Sequence, residues 1–252
     1  MCFLPGSCKN FNKIIGYSAT FEAEMKALFN GFLSLIYPRT CVACQKVLLA
    51  HEASVCQACV ASLAITSLKE SQILLNNVFA GRVPLEKSFF FCKLAIGNNA
   101  HAILHALKYN NEIGLGNQIG NWIFVALKNT DFFAGINLIV PNPIHEQKRK
   151  SRGYNQSELI AKEISRLTQI PIDCTSVIKA VSSESQTRKN KIERWENIKE
   201  VYALRDIDVL RNKHILIIDD VITTGATIES LWKSIEDVEG IKISLLSFAY
   251  TV

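Results

Sequence analysis

The sequence predicts an α/β protein in which a mostly parallel sheet is flanked by helices. Strand-like and helix-like segments alternate from about residue 89 to the end of the chain, a pattern typical of parallel sheets covered on both faces. One strand-like segment, from His214 to Ile218, leads directly into Asp219 and Asp220 and then into a short Thr/Gly loop. Ahead of the alternating region, two C-x-x-C pairs predict a small separate module.

The length and charge of the chain limit its organisation. Its 252 residues suffice for one α/β domain with a small additional module, and the net charge of +5 favours anionic ligands only mildly. No apolar run approaches the roughly 18–20 residues of a membrane span, and residues 1–18 do not resemble a signal peptide. We therefore expect a cytoplasmic protein without a membrane span. The predicted divisions are an extension with an amphipathic helix (1–37), a four-cysteine module (38–62), a mixed connector (63–87) and the α/β domain (85–252).

Four of the eight cysteines form the two C-x-x-C pairs, which are separated by 11 residues. This spacing suits tetrahedral zinc, because each tight turn supplies two thiolates. The alternative is a redox dithiol, although that chemistry normally needs only one C-x-x-C in a thioredoxin-like unit. His51 lies close enough in sequence to replace one thiolate. The predicted zinc ligands are Cys41, Cys44, Cys56 and Cys59.

The strands and helices of the α/β domain follow from the spacing of apolar residues. The glycine-rich stretch from Gly114 to Gly120 has one residue too many for a dinucleotide-binding loop, and no strand precedes it. We interpret it as a helix–helix turn. In chain order, the predicted elements are a strand at 89–94, helices at about 98–109 and 115–129, a strand at 137–140, a helix at 156–167, strands near 176–181 and at 214–218, a helix at 228–235 and a strand at 242–250.

The acidic end of the strand at 214–218 is the first candidate ligand site. Open α/β sheets bind ligands beyond the carboxyl ends of their strands. Backbone N–H groups of the following loop and the positive end of the helix dipole suit a phosphate, whereas Asp219 and Asp220 suit hydroxyl groups or a metal ion. The structural alternative is a solvated Asp-Asp turn with an N-capping threonine. A P-loop does not fit, since no G-x-x-x-x-G-K-[ST] is present.

A basic cluster follows another predicted strand and forms the second candidate site. Lys148, Arg149, Lys150 and Arg152 come shortly after Pro141-Asn142-Pro143. Guanidinium groups match phosphate oxygens well, so four cations in five residues could neutralise a pyrophosphate. The alternative is a solvated basic loop.

These motifs resemble two related families. The segment ILIIDDVITTGAT (215–227) resembles the fingerprint of type I phosphoribosyltransferases, which use phosphoribosyl diphosphate (PRPP). Three further segments, together with the four-cysteine module, resemble the ComF (competence protein F) family over about residues 30–250. Ile96 stands where that family often has an aromatic residue. The three segments are ILHALKYNNE (103–112), VPNPIHEQKRKSRGYNQSELIAKEIS (140–165) and QTRKNKIERWENIKEVYAL (186–204).

The resemblance implies a type I phosphoribosyltransferase fold and a role for each motif. Asp219 and Asp220 would hold ribose hydroxyls, directly or through Mg²⁺. The resemblance does not name a catalytic general base. The 5′-phosphate would be cradled by Thr223, Thr224, Gly225, Ala226 and Thr227, the pyrophosphate would face Arg149, Lys150 and Arg152, and a mobile loop closing over the site would include Gln186, Thr187, Arg188, Arg194 and Asn197.

Three functions agree with these motifs. The first is a Mg²⁺-dependent phosphoribosyltransferase that displaces pyrophosphate from PRPP. The second, implied by the family name, is a binding protein in DNA uptake, in which the site binds single-stranded DNA and the module docks a helicase-type competence protein. Basic residues are available for this role, but the interleaved aromatic residues of a base-stacking surface are not obvious. The third is a regulator that senses PRPP without turnover.

Overall fold

The computed structural model describes residues 37–110, 112–180 and 201–251. The predicted helix of residues 21–37 falls outside these ranges except for Tyr37. Within them, no helix is long and apolar enough to cross a membrane. The described elements are α1 (Gln57–Ala61), α2 (Leu68–Phe79), β1 (Leu85–Leu94), α3 (Asn99–Tyr109), α4 (Ile113–Leu127), β2 (Leu138–Pro141), α5 (Glu146–Arg152), α6 (Gln156–Thr168), β3 (Val177–Lys179), β4 (Tyr202–Leu204), β5 (His214–Ile222), α7 (Ala226–Ile235) and β6 (Lys242–Thr251).

The main sheet has the strand order β1-β6-β5-β2, and all of its paired strands run parallel. β5 lies inside the sheet, and its apolar residues alternate between two buried clusters. Leu216 and Ile218 pack with α3, α4 and α6, whereas Ile215 and Ile217 pack with α2 and α7. Burial on both faces explains why β5 is continuously apolar before its aspartates. The mostly parallel sheet flanked by helices is therefore confirmed, and β3 and β4 form a separate antiparallel pair.

Two predicted boundaries differ from the structure. The connector predicted for residues 63–87 contains α2, which begins where the Ser67 side chain accepts a hydrogen bond from the Glu70 N–H. This helix buries Leu75 and Phe79. The strand predicted to end at Ile218 continues through both aspartates to Ile222, since β6 pairs with β5 as far as Tyr250. Asp219 and Asp220 therefore lie on a rigid strand.

The interpretation of the glycine-rich stretch as a helix–helix turn is wrong, because all its glycines lie within α4. Two of them face α6 at very short range. A Cβ atom at Gly120 would lie 2.7 Å from the Glu163 Cβ, and one at Gly116 would overlap the Leu159 Cβ. The glycines thus allow α4 and α6 to approach closely, which supports the amino-terminal end of α6 beside the candidate site.

This close approach predicts opposite effects for two neighbouring substitutions. Gly116→Ala should lower the free energy of unfolding by about 1–3 kcal/mol, because the added methyl group forces the helices apart. Gly114→Ala is a matched control, since a Cβ there would meet nothing within 4 Å. The control should leave stability unchanged or raise it by up to about 1 kcal/mol, because alanine favours the helix. Urea unfolding of both variants checks this, and equal losses of stability would contradict it.

The four-cysteine module packs directly on the α/β domain. Cys41, Cys56 and Cys59 belong to the same hydrophobic cluster as the buried faces of α3 and α4. The Ser54 backbone N–H also donates to the Gln118 side chain at 3.3 Å, across to α4. The module and the domain therefore share one core.

Candidate functional site

A pocket of about 260 Å³ lies at the carboxyl ends of β2 and β5. Pro141 pairs with Ile218, and the Asn142 N–H donates to the Ile218 carbonyl. Asn142 therefore lies beside Asp219 on the neighbouring strand end. We call this cavity the aspartate pocket. Its walls are formed by Lys108, Asn142, Pro143, Ile144, His145, Lys148, Arg152, Gln156, Ser157, Lys179, Asp219, Asp220, Val221, Thr223 and Thr227.

Asp219 is buried, and three donors hold its carboxylate. The Asn142 side-chain amide donates to Oδ2 at 3.0 Å. The Ser157 hydroxyl and the Asp220 backbone N–H donate to Oδ1 at 3.2 and 2.9 Å. Burial and the adjacent Asp220 nevertheless raise the pKa of Asp219 above its ordinary value. The fold thus keeps an acidic group where its charge is disfavoured, and this is typical of functional sites.

Asp220 has a different environment, because it forms an ion pair with Lys108. The Lys108 Nζ lies 2.9 Å from Oδ2, and both side chains are mostly buried. The Val221 backbone N–H donates to the other oxygen, Oδ1, at 3.0 Å. Lys108 lies in the last turn of α3, so a helix distant in sequence brings a cation to the carboxylate pair.

A chain of hydrogen bonds connects Asp219 to the antiparallel strands β3 and β4. The Tyr202 hydroxyl donates to the Asn142 side chain at 2.9 Å, and the Lys179 ammonium lies 5.1 Å from the centre of the Tyr202 ring. Burial lowers the pKa of Lys179 below its ordinary value, and the charge of Asp219 offsets this only in part. The predicted mobile-loop residues Gln186, Thr187, Arg188, Arg194 and Asn197 belong to the connection between β3 and β4, which lies outside the described residues.

The Thr/Gly loop packs against α2 and against the turn that follows α2. Gly225 adopts φ +77°, and a Cβ there would lie 2.7 Å from the Phe79 ring. Arg82 pairs with Glu229 at 2.9 Å, and its guanidinium is within 3.5 Å of the Thr224 carbonyl. Of the five residues predicted to cradle a phosphate, Thr223 and Thr227 line the aspartate pocket, and Thr224, Gly225 and Ala226 complete the turn between them.

The basic cluster forms a short helix, α5, and this separates its side chains. Lys148 and Arg152 are four residues apart, share one face and line the aspartate pocket. Arg149 points to a neighbouring cavity and pairs with Glu158 at 3.3 Å. Lys150 is exposed and pairs with Glu146 at 3.0 Å. Of the three predicted pyrophosphate ligands, the structure therefore brings only Arg152 to the aspartates.

Gln156 has a buried hydrogen-bond donor without a partner among the described residues. The residue is 2% exposed, and its Oε1 accepts a hydrogen bond from Arg152 at 3.1 Å. Its Nε2 has no acceptor among the described residues. Buried donors in native proteins almost always have a partner. The Nε2 atom itself has almost no accessible surface, so a ligand in the pocket would not reach it in this arrangement.

The four cysteines of the module come together as predicted. Their Sγ atoms all lie within 4.8 Å of one another, and Cys44 and Cys56 are 3.7 Å apart. This spacing fits tetrahedral thiolates around Zn²⁺ at about 2.3 Å each. Although burial raises the pKa of Cys41, backbone N–H groups of Cys56, Cys44 and Ala43 lower it to about 7. His51 is exposed and is not part of this cluster of described residues.

Several pocket residues were not singled out from the sequence. Asn142 carried a signal, because it directly follows a predicted strand, and ligands bind beyond the carboxyl ends of such strands. Lys108 lies within a segment resembling the ComF family but was given no role. Ser157, Lys179 and Tyr202 carried no signal of their own, because only the tertiary fold brings them to Asp219.

This chain is similar in sequence to one family model and to several known proteins. A phosphoribosyl transferase domain model matches residues 155–250, from the start of α6 to the end of the sheet. Competence protein F of Haemophilus influenzae is 25% identical over 139 residues, 52% of this chain and 59% of that protein. DNA utilization protein YhgH of Escherichia coli is 25% identical over 132 residues, 51% of this chain and 57% of that protein.

A third similar protein is competence protein ComFC of Bacillus subtilis, with 30% identity over 91 residues. That match covers 36% of this chain and 35% of the relative. The chain thus spans little more than half the length of the first two proteins and about a third of the last. The domain match includes Asp219, Asp220 and the Thr/Gly loop, and it leaves out the four-cysteine module.

Proposed function

We infer that this chain, which belongs to the ComF family of the phosphoribosyltransferase superfamily, binds PRPP or a closely related sugar phosphate in the aspartate pocket. The observation that carries this proposal is that two carboxylates and three cations, Asp219, Asp220, Lys108, Lys148 and Arg152, line one cavity. Carboxylates accept hydrogen bonds from sugar hydroxyls, and the cations bind phosphate oxygens. A ligand that carries sugar hydroxyls and phosphate groups close together would contact both the carboxylates and the cations of the pocket.

Each part of the ligand has a place in this arrangement. The ribose hydroxyls would lie at Asp219 and Asp220. The 5′-phosphate would lie on the Thr/Gly loop at the amino-terminal end of α7, where backbone N–H groups and the helix dipole favour negative charge. The diphosphate would face Arg152 and Lys148, which line the pocket.

Mg²⁺ fits this site through one carboxylate. Mg²⁺ typically keeps several waters and binds one or two carboxylates together with phosphate oxygens. Three protein donors take three of the roughly four acceptor sites of the Asp219 carboxylate, which leaves room for one ribose hydroxyl, so Asp220 would hold the ion. When bound, Mg²⁺ would neutralise charge on the diphosphate.

Phosphoribosyl transfer is the reaction that this ligand implies. An acceptor would form a bond to C1 of the ribose, and the bond from C1 to the diphosphate oxygen would break. Lys108, Lys148 and Arg152 would stabilise the charge on the departing diphosphate. The acceptor is open, because no described residue is positioned as a base for a known nucleophile.

Titration calorimetry with PRPP, with and without Mg²⁺, tests the proposal. We expect saturable binding to the wild-type protein and much weaker binding of ribose 5-phosphate, which lacks the diphosphate. Incubation with a panel of nucleobases, followed by measurement of released pyrophosphate, tests the transfer. Absence of binding under both conditions would reject the sugar-phosphate proposal, and binding without pyrophosphate release would favour a PRPP-sensing regulator.

A role in DNA uptake is the second candidate, and the names of the relatives favour it. Two of them are competence proteins, and one is a DNA utilization protein. In this role the cations of the aspartate pocket would bind phosphates of single-stranded DNA, and the module would dock a helicase-type competence protein. Affinity for single-stranded DNA should then fall steeply as salt rises. A gel shift that is absent at low ionic strength would exclude direct DNA binding.

A further inference from the structure

We propose that Lys108 is an internal counter-ion at the position on Asp220 where a divalent cation would bind. The pocket would then take up a sugar phosphate without divalent metal, and it would admit Mg²⁺ at Asp220 only in exchange for Lys108. The proposal rests on the proposed function for its ligand, but the competition at Asp220 concerns the free protein.

Each carboxylate oxygen of the two aspartates has a partner among the described residues, and Lys108 is the cationic one that a metal ion would replace. Both oxygens of Asp219 already accept bonds from protein groups. At Asp220, Oδ1 accepts the Val221 N–H, and Oδ2 lies 2.9 Å from the Lys108 ammonium. A metal ion bound to the carboxylate pair would therefore contact the oxygen that Lys108 now contacts. Two cations cannot share that oxygen without strong repulsion.

The end of α3 that carries Lys108 is held in place on both sides. The hydroxyl of buried Tyr154 donates to the Leu107 carbonyl at 2.8 Å. The guanidinium of Arg152 lies 5.4 Å from the centre of the Tyr109 ring. The residues before and after Lys108 are thus connected to the segment that also supplies pocket residues. Lys108 is directed at Asp220 by the fold, which distinguishes this contact from a surface ion pair.

The charges lining the aspartate pocket support metal-independent binding. Lys108, Lys148, Arg152 and Lys179 line it together with only two carboxylates. The pocket therefore has an excess of positive charge before any metal enters. A phosphorylated ligand finds cationic partners in the protein itself, and phosphate binds well to such groups.

Titration of the free protein with Mg²⁺ alone tests the competition. Lys108→Met keeps much of the side-chain length and removes the charge, so it should bind Mg²⁺ about tenfold more tightly than the wild type, since an unpaired buried carboxylate is strongly unfavourable. Lys93→Met is the matched control, because Lys93 pairs with Glu70 outside the pocket, and it should behave as wild type. Adding Asp220→Asn to Lys108→Met should abolish the gain. Equal Mg²⁺ affinity of Lys108→Met and wild type would overturn the proposal.

Titration with PRPP in EDTA and in Mg²⁺ tests the consequence for the ligand. The wild type and Lys108→Arg should bind PRPP in EDTA with an affinity within about threefold of that in Mg²⁺, whereas Lys108→Met should need Mg²⁺. A wild type that binds only with Mg²⁺ would overturn metal-independent binding and leave the proposed function standing. A wild type that binds PRPP in neither condition would reject the proposed function, while the titration with Mg²⁺ alone would still decide the competition. Thermal unfolding of each variant shows whether it is folded.

Discussion

Replacing Asp219 and Asp220 together by asparagine is expected to abolish PRPP binding while the protein remains folded. Each carboxylate would lose a hydrogen bond to a ribose hydroxyl, and a hydrogen bond to a charged group contributes about 1.5–3 kcal/mol. Two such losses weaken binding by about 10²- to 10⁴-fold. Calorimetry at a PRPP concentration that saturates the wild type should then detect no heat.

The direction of this effect separates a sugar-phosphate site from a site for phosphates alone. The double substitution removes two negative charges next to Lys108 and leaves that lysine without its partner. A surface that binds only phosphate groups, such as those of single-stranded DNA, should therefore bind them equally or more tightly after the substitution. Loss of PRPP binding together with retained DNA binding would show that the two ligands use different contacts. Tighter PRPP binding would contradict the proposed place of the ribose.

The raised pKa of Asp219 predicts that Asp219→Asn alone is stable. Burial and Asp220 raise its pKa, so folding disfavours the ionised carboxylate. For a carboxyl group with a raised pKa in the fold, stability falls as the pH rises above the ordinary pKa of the group. Asp219→Asn removes that dependence and should be as stable as the wild type at neutral pH, or more so. Asp131→Asn, on a side chain that is 85% exposed, is the control for a change of charge alone.

The sequence predicted the parts of the site that are contiguous in the chain. Asp219, Asp220 and the Thr/Gly loop are positioned by one strand and the turn after it, so their order alone indicates their geometry. The basic cluster illustrates the limit of such reasoning. Lys148, Arg149, Lys150 and Arg152 are neighbours in sequence, but α5 turns them to different sides, and only two of them line the aspartate pocket.

Contacts between elements that are distant in the chain could not be predicted from the sequence. Lys108 meets Asp220 because α3 ends at the carboxyl edge of the sheet, and nothing in the local pattern around Lys108 indicates that position. The glycines of α4 are a second case. A glycine-rich stretch is compatible with a turn, a phosphate loop or close helix packing, and only the approach of α6 shows which applies.

Replacing Cys44 by serine is expected to remove zinc from the protein and to lower its stability. The four Sγ atoms are close enough for one tetrahedral ion, and serine is a poor ligand for Zn²⁺ in place of a thiolate. Structural zinc contributes about 10–16 kcal/mol to the folding of isolated zinc-binding peptides. Here the effect should be smaller but still several kcal/mol, because Cys41, Cys56 and Cys59 also pack in the core that the module shares with α3 and α4.

Metal analysis and thermal unfolding of matched variants check this prediction. The wild type should contain about one equivalent of zinc, and Cys44→Ser less than about half of one. Cys174→Ser is the control, since this partly buried thiol lies outside the cluster, and it should keep both metal and stability. The module and α3 share one core, so loss of structure in the module should also shift α3. Because α3 carries Lys108, Cys44→Ser should then weaken ligand binding at the aspartate pocket. A wild type without zinc would instead favour the redox dithiol, and a Cys44→Ser protein that retains zinc would show that Cys44 is not a required ligand.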